Sequence, residues 1–255
     1  MKAAVFIAPG QIEVQETAKP EIDGENQAII RVVRASVCGS DLWWYRGIAK
    51  REANTLVGHE AIGVVEQASA DVSQIKAGNF VIVPFTHGCG HCVACLNGFE
   101  GNCLNQKPGS NGGYQAEFMK YEPADSGLVK IPGAPADYTD EQLASLQTLS
   151  DVMATGFHAA KNAEIKPCNM VAVIGRVGVP HAEPKSNQLF WKNIGLRGGI
   201  ASVTKPDKEL LLKAVLDGEI NPSKVFTKSF DLDHAADAYA AMDQRQAIKS
   251  LLVID

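Results

Sequence analysis

The chain has 255 residues, 45% of them hydrophobic and 21% charged, with a net charge of -5. This is the composition of a globular chain of one or two domains, long enough to bury a core without disulfide staples, and the negative balance gives no reason to expect nucleic acid. No apolar run approaches a membrane span, and the N-terminus MKAAVFIAPG lacks the apolar core and small-residue cleavage site of a signal peptide, so a cytoplasmic protein without a membrane partner is expected.

In chain order, QAIIRVVRASV reads as a mostly buried strand, and CGSD, containing Cys38, as its exit into a turn. The pair Trp43 and Trp44 follows at once. LVGHEAIGVVEQ then sets His59 and Glu60 between a glycine and a second β-rich run. The stretch GCGHCVACLNGFEGNC holds Cys89, Cys92, Cys95 and Cys103, four of the six cysteines of the chain. In a cytosolic protein such a cluster binds metal more readily than it forms disulfides, and four thiolates on tight turns close a tetrahedral zinc site. Gly88, Gly90, Gly98 and Gly101 supply the backbone freedom those turns need. Free cysteines in a flexible loop are the competing reading, and none of the four sits in a hydrophobic pattern. His91 lies inside the knot, but four thiolates already fill the shell.

ADYTDEQLASLQTLSDVMATGFHAAKNA shows helical periodicity in two segments broken near Ser150, with Asp151 at the start of the second, where a carboxylate can also cap. Cys168 reads as a small buried residue beside the strand MVAVIGRVGV. EPKSNQLFWKN reads as helix and IGLRGG as a short strand. PDKELLLKAVLDGEI is a helix from Pro206 to near Gly218, and DLDHAADAYAAMDQR a helix capped by Asp231 or Asp233. AIKSLLVI is a final strand. Cys38, His59 and Asp151 offer one sulfur, one imidazole and one carboxylate, the donors of an open zinc shell with a fourth position for water or substrate. Spacing alone leaves a buried histidine and a capping aspartate as the simpler readings.

CGSD, then GHE about twenty residues later, then CGHCVACLNGFEGNC together resemble the zinc-dependent alcohol dehydrogenases of the medium-chain dehydrogenase/reductase superfamily. The likeness continues through SDVMATGFHAA, IKPCNMVAVIG, RVGVPH and NIGLRGG to AADAYAAMDQRQAIKSLL, nearly the whole chain. It implies a mixed α/β fold: a GroES-like, partly open β-barrel domain over 1–150 and 229–255, and a Rossmann-type part over 151–228. The resemblance makes Cys38, His59 and Asp151 the catalytic zinc ligands and Cys89, Cys92, Cys95 and Cys103 the structural ones, two zincs per chain. Glu60 is the carboxylate that approaches the metal when the fourth ligand exchanges, and Ser40 the hydroxyl that hands on the proton of the alcohol. Thr155 and Val177 fall on the nicotinamide side. One departure is Trp43, where relatives often carry a proton-passing histidine; Trp43 and Trp44 can wall an apolar substrate pocket or form a core pair.

The larger departure lies in the second part. Two βαβαβ halves need on the order of 120 residues, and the run from Val171 to Lys228 is roughly half that. No G-x-G-x-x-G occurs anywhere, and VAVIG runs straight into RVGVPH, as if an internal deletion were joined at Gly175–Arg176. NAD(P), the family's cofactor, is therefore expected to bind very weakly or not at all. Lost strands would bare apolar surface, so a homodimer or higher homo-oligomer is expected. The expected function is a zinc alcohol dehydrogenase scaffold facing a small alcohol or carbonyl compound. The alternatives are cofactor-free zinc-hydroxide chemistry such as weak ester hydrolysis, or a non-catalytic, zinc-stabilised oligomeric module.

Overall fold

The computed structural model describes residues 1–105, 112–166 and 201–254. Two sheets organise them. The smaller is antiparallel, in the order β2-β1-β4, from β1 (Lys2–Ala8), β2 (Gln11–Glu16) and β4 (Thr55–Leu56). The larger contains β3 (Ala28–Ser36), β5 (Ala61–Ala68), β6 (Phe80–Val83), β7 (Phe118–Tyr121), β8 (Val129–Ile131), β9 (Phe226–Asp231) and β10 (Lys249–Val253). Its order is β8-β6-β5-β3-β10-β9, with β7 also on β3.

β3 is the hinge of this arrangement. Its first half, Ala28–Arg31, pairs with β7, while Arg34–Ser36 pairs with β10 and nearly the whole strand pairs with β5. A strand with neighbours along its length and both faces covered must be apolar almost throughout; Arg31 is its one exposed residue. The final strand predicted from AIKSLLVI is β10, brought back from the far end of the chain onto β3. β9 and β10 are parallel, joined across α7 (Ala235–Asp243), as parallel neighbours require.

The period-2 alternation sorts side chains into two cores. Ala61, Val81 and Val83 face the barrel interior with Ala4, Ile30, Tyr114, Tyr239 and Leu252. Ile62, Phe80, Ile82, Val129 and Ile131 face the opposite way. That outer face is covered by α4 (Asp140–Thr148) and α6 (Lys205–Leu216), through Leu143, Leu146, Leu211, Leu212 and Val215, and by Ala154 of α5 (Val152–Asn162). The predicted break between two helices near Ser150 lies between α4 and α5. Thr139 opens α4 with a capping box closed by Gln142.

The helix predicted from Pro206 starts one residue earlier, at Lys205, because Thr204 caps it by accepting from the Asp207 amide. Asp231 caps a 3-10 turn, Leu232–His234, ahead of α7, while Asp233 pairs with Lys2. The strand predicted in MVAVIGRVGV, the join at Gly175–Arg176, Cys168, Val177, the EPKSNQLFWKN helix and the IGLRGG strand lie outside the described residues.

Candidate metal centres

Four chemistry-bearing side chains from three distant parts of the chain converge where β3 ends. Cys38 leaves β3 in a tight turn, with the Asp41 amide donating to its carbonyl at 3.0 Å, and leads into α1 (Asp41–Tyr45). His59 and Glu60 stand just before β5. Gly58 ahead of them has φ +91°, and a Cβ there would lie 2.5 Å from the Gln115 side chain, so the turn that delivers His59 needs glycine. Asp151 sits at the cap position just before α5. The capping role open to it in sequence does not materialise: its side chain makes no cap hydrogen bond. Its carboxylate turns instead to Cys38 Sγ at 3.3 Å and His59 Nε2 at 3.4 Å, and accepts from Thr155 Oγ1 at 2.8 Å. The ligand atoms of Cys38, His59, Glu60 and Asp151 all lie within 4.8 Å of one another.

These separations suit a metal. Zinc bonds of 2.0 to 2.3 Å in a tetrahedron put neighbouring ligand atoms roughly 3.3 to 3.8 Å apart, which the 3.3 and 3.4 Å contacts match. The carboxylates around His59 and Cys38 give the site a negative potential. Burial, then the Glu60 charge, holds the Cys38 thiol above its ordinary pKa, so a cation is needed to ionise it. Burial opposes charge on His59, but Asp41 and Asp151 outweigh it and hold its pKa well above normal. Burial likewise opposes charge on Asp151, yet His59 and Thr155 pull its pKa well below the usual carboxylate range. His59 keeps 27% of its side chain exposed, which leaves the site open to solvent on one side.

Asp41 and Lys249 carry roles that spacing did not reveal. Asp41, buried, accepts from the Cys38 amide at 3.0 Å and faces His59 Nδ1 at 3.3 Å. It holds both side chains at once and leaves Nε2 facing the other donors, as in the carboxylate–histidine arrangement common around zinc. Its signal was in the CGSD motif, where a buried aspartate beside a candidate ligand calls for a partner. Lys249, from β10, places its ammonium 2.8 Å from Glu60 Oε1 and 2.7 Å from Oε2, and donates to the Val37 carbonyl at 3.0 Å. Ser36 Oγ also donates to Glu60, and Gln147 Nε2 donates to Ser36 Oγ at 2.9 Å. Burial pushes the Glu60 pKa up and Lys249 pulls it back only partly; for Lys249 the balance is reversed and its pKa lies above normal. Nothing in a local pattern announces a pairing between positions 60 and 249.

The second group is the cysteine loop, in which Cys92 precedes α2 (Val93–Leu96). Cys92 Sγ lies 3.4 Å from Cys95 Sγ and 3.9 Å from Cys103 Sγ, and Cys89 Sγ 4.0 Å from Cys95 Sγ. Four sulfurs about 2.3 Å from one zinc would be roughly 3.8 Å apart. The Cys103 sulfur accepts from the amides of Cys89 and Asn105, and the Cys89 sulfur from the Cys92 amide and the Asn105 side chain, at 3.3 to 3.4 Å. Such donors favour thiolates: backbone amides lower the Cys92 pKa to about 6, whereas burial pushes Cys95 up to about 12. A Cβ on Gly88 would lie 2.5 Å from Cys95 Sγ, so the loop closes only over glycine. His91 lies against the Cys89 carbonyl, outside the four-sulfur group.

Of the other predicted residues, Ser40 is half-buried in the turn after Cys38, and its side chain does not cap α1. Thr155 reaches the site through Asp151. Trp44 takes the core reading, stacked edge-on against Phe6 at 5.2 Å and tilted against Tyr239 at 5.4 Å, with Arg51 over its ring. Trp43 stays half-buried.

Residues 24–133 match the family described as alcohol dehydrogenase GroES-like domain. The chain belongs with the zinc-type alcohol dehydrogenases. A glutathione-independent formaldehyde dehydrogenase of Pseudomonas aeruginosa (strain LESB58) is 31% identical over 217 residues, 78% of this chain and 54% of that protein. The uncharacterized zinc-type alcohol dehydrogenase-like protein AdhB of Bacillus subtilis (strain 168) is 32% identical over 69% of this chain and 49% of its own length. The chain thus spans about half the length of the curated relatives it matches. In fold it is similar to alcohol dehydrogenase TADH from Thermus sp. ATN1, with a TM-score of 0.86 at 20% identity and the alignment covering 100% of both chains. No helix among the described residues is long and apolar enough to cross a membrane.

Proposed function

We propose that this zinc-type alcohol dehydrogenase chain binds two zinc ions, a closed one at Cys89, Cys92, Cys95 and Cys103 and an open one at Cys38, His59 and Asp151. The open site acts on a small alcohol or aldehyde. The observation that carries this reading is the donor set itself: sulfur, imidazole and carboxylate at tetrahedral separations, with one side open to solvent. Zinc there supplies Lewis-acid polarisation of the substrate oxygen and a lowered pKa for a bound alcohol. The residues of the chain do the rest. Asp41 orients His59 and Cys38, Thr155 orients Asp151, and Ser40 takes the alcohol proton. Glu60, tethered by Lys249 and Ser36, is the carboxylate next to the exchanging position. The name of the Pseudomonas relative supports small aldehydes as the carbonyl class.

The hydride acceptor is the weak link. The sequence holds no glycine-rich phosphate turn, so NAD(P) binds very weakly or not at all. That absence favours a second reading, in which the open site performs cofactor-free hydrolysis of activated esters. The domain division at 1–150 and 229–255 against 151–228 and self-association through the shortened part belong to the same proposal. Titration of zinc-loaded protein with NADH, followed by nicotinamide fluorescence, tests it. Saturable binding, with alcohol turnover abolished in Cys38→Ala, would restore the complete dehydrogenase and overturn the lost-cofactor part. No binding at millimolar NADH, together with two zincs per chain falling to one in Cys38→Ala, supports the reading. A visible spectrum of cobalt at the open site that fails to respond to trifluoroethanol would refute access of alcohols to the metal.

A further inference from the structure

The cysteine loop does more than fold on itself. Between Cys95 and Cys103 it makes a 3-10 turn, Glu100–Asn102, with the Cys103 amide donating to the Glu100 carbonyl at 3.1 Å. The Glu100 side chain reaches the N-terminus of α6. Its Oε1 accepts from the Lys205 amide at 3.2 Å, one of the helix's otherwise unsatisfied donors. Its Oε2 lies 3.6 Å from the ammonium of Lys208, which is 2% exposed and also donates to the Thr86 carbonyl at 3.2 Å. Two further contacts lie nearby: Ser202 Oγ, just ahead of α6, donates to Asn102 Oδ1 of the loop at 3.4 Å, and Lys205 Nζ donates at 2.9 Å to the carbonyl of Asp125, in the short helix α3 (Ala124–Gly127).

From α6 the connection continues to the open site. Asp207 near the start of α6 holds Lys161 of α5 at 3.0 Å, and Leu211, Leu212 and Val215 share a core with Ala154. Ala154 is the only fully buried residue of α5, the helix that begins beside Asp151. A buried carboxylate–ammonium pair is sensitive to small displacements, because either partner left alone keeps its desolvation cost. Glu100 is therefore held where Lys208 and the α6 amide need it only as long as the loop on both its sides is closed.

We propose that Glu100 is a positioning residue through which metal in the four-cysteine loop docks α6 onto the barrel, and with α6 the helix that begins beside Asp151. This rests on the reading that Cys89, Cys92, Cys95 and Cys103 hold zinc. The loop is then a clasp between the first part of the chain and the helices of the second, and losing its metal loosens a helix that contributes no sulfur to it.

Hydrogen exchange measured by peptide mass spectrometry on the full chain tests this, with zinc content measured alongside. The Cys38→Ser background confines metal to the loop. Removing zinc with a chelator is expected to speed exchange in residues 205–216 about tenfold while 28–36 stays protected, as for a local opening. Glu100→Gln is expected to exchange at the zinc-free rate with zinc bound, and to change no further when zinc is removed. Three outcomes would overturn the proposal: zinc leaves and the loop opens but 205–216 keeps its rate; Glu100→Gln speeds exchange by the same factor with and without zinc; or 28–36 opens together with 205–216. A loop that takes up no zinc overturns the metal reading itself, and metal analysis separates that failure from the others. If Glu100→Gln does not fold, zinc removal from the protein with Glu100 intact still decides the matter.

Discussion

Replacing Lys249 with methionine leaves Glu60 buried beside the open site with its cation gone. Three contacts are lost, two to the Glu60 oxygens and one to the Val37 carbonyl, all from a side chain 6% exposed. The general cost of stripping one partner from a buried pair is about 3–5 kcal/mol. Here a ceiling can be worked out, because Glu60 can escape by taking a proton. Holding a carboxyl of ordinary pKa 4.5 protonated at pH 7 costs about 3.4 kcal/mol, at 1.36 kcal/mol per unit. The orphaned Val37 carbonyl adds about 1 kcal/mol. The loss is therefore expected to reach at most about 4 kcal/mol at pH 7. Since the folded variant holds Glu60 at a pKa above its unfolded value, the penalty is absent below about pH 4.5 and grows as pH rises toward the folded pKa. At pH 5 the loss should fall to about 2 kcal/mol. Urea unfolding followed by tryptophan fluorescence, with chelator present so that metal binding adds nothing, reads both values. A loss below about 1 kcal/mol at pH 7, or one equal at pH 5 and pH 7, refutes the reasoning. Lys249→Met/Glu60→Gln should recover most of the deficit.

Asp41→Asn is expected to weaken zinc at the open site about 10–100-fold, by removing the carboxylate that orients His59, while the cysteine loop keeps its metal; competition with a chelating dye measures both. Leu146→Ala, at a fully buried position on the inner face of α4, should cost about 2–5 kcal/mol in urea unfolding, and a loss below about 1 kcal/mol would mean that the outer core re-closes. Burial alone would raise the Asp125 pKa, but the Ser73, Gln74 and Ile75 amides and the Ser73 hydroxyl hold it below 3.8. Its contribution is present above pH 3.8 and lost as pH falls below it, so Asp125→Asn should be less stable than the parent at neutral pH and converge with it in acid. Parallel unfolding curves at every pH would contradict that assignment.

Much of the site was legible because its chemistry sits in short motifs. Four cysteines among glycines are gathered into one group by local turns, whatever surrounds them. Cys38 and His59 were readable at the ends of β-rich runs. The two helices around Ser150 and the return of the last strand were readable from periodicity. What escaped was the role of residues whose partners are far away in sequence. Asp41 was visible inside CGSD, but its bond to His59 depends on β3 and β5 being neighbours. Asp151 was ambiguous between cap and ligand, since a carboxylate at a helix start satisfies both patterns until something competes for it. Trp44 was equally ambiguous until Phe6 and Tyr239 closed around it.

By itself, then, the sequence determined the donors, because cysteine, histidine and carboxylate chemistry belongs to the side chains, and it determined where strands and helices begin, because those periods are local. Only the tertiary structure decided which donors meet. β3 carries β5 along one edge and β10 along the other, so Cys38, Glu60 and Lys249 arrive at one point from opposite ends of the chain. It also decided that Asp151 turns toward a sulfur and an imidazole rather than its own helix amides. The reason is physical: a buried charge goes to whichever partner best offsets its desolvation, and that partner is set by packing over distances that no local pattern encodes.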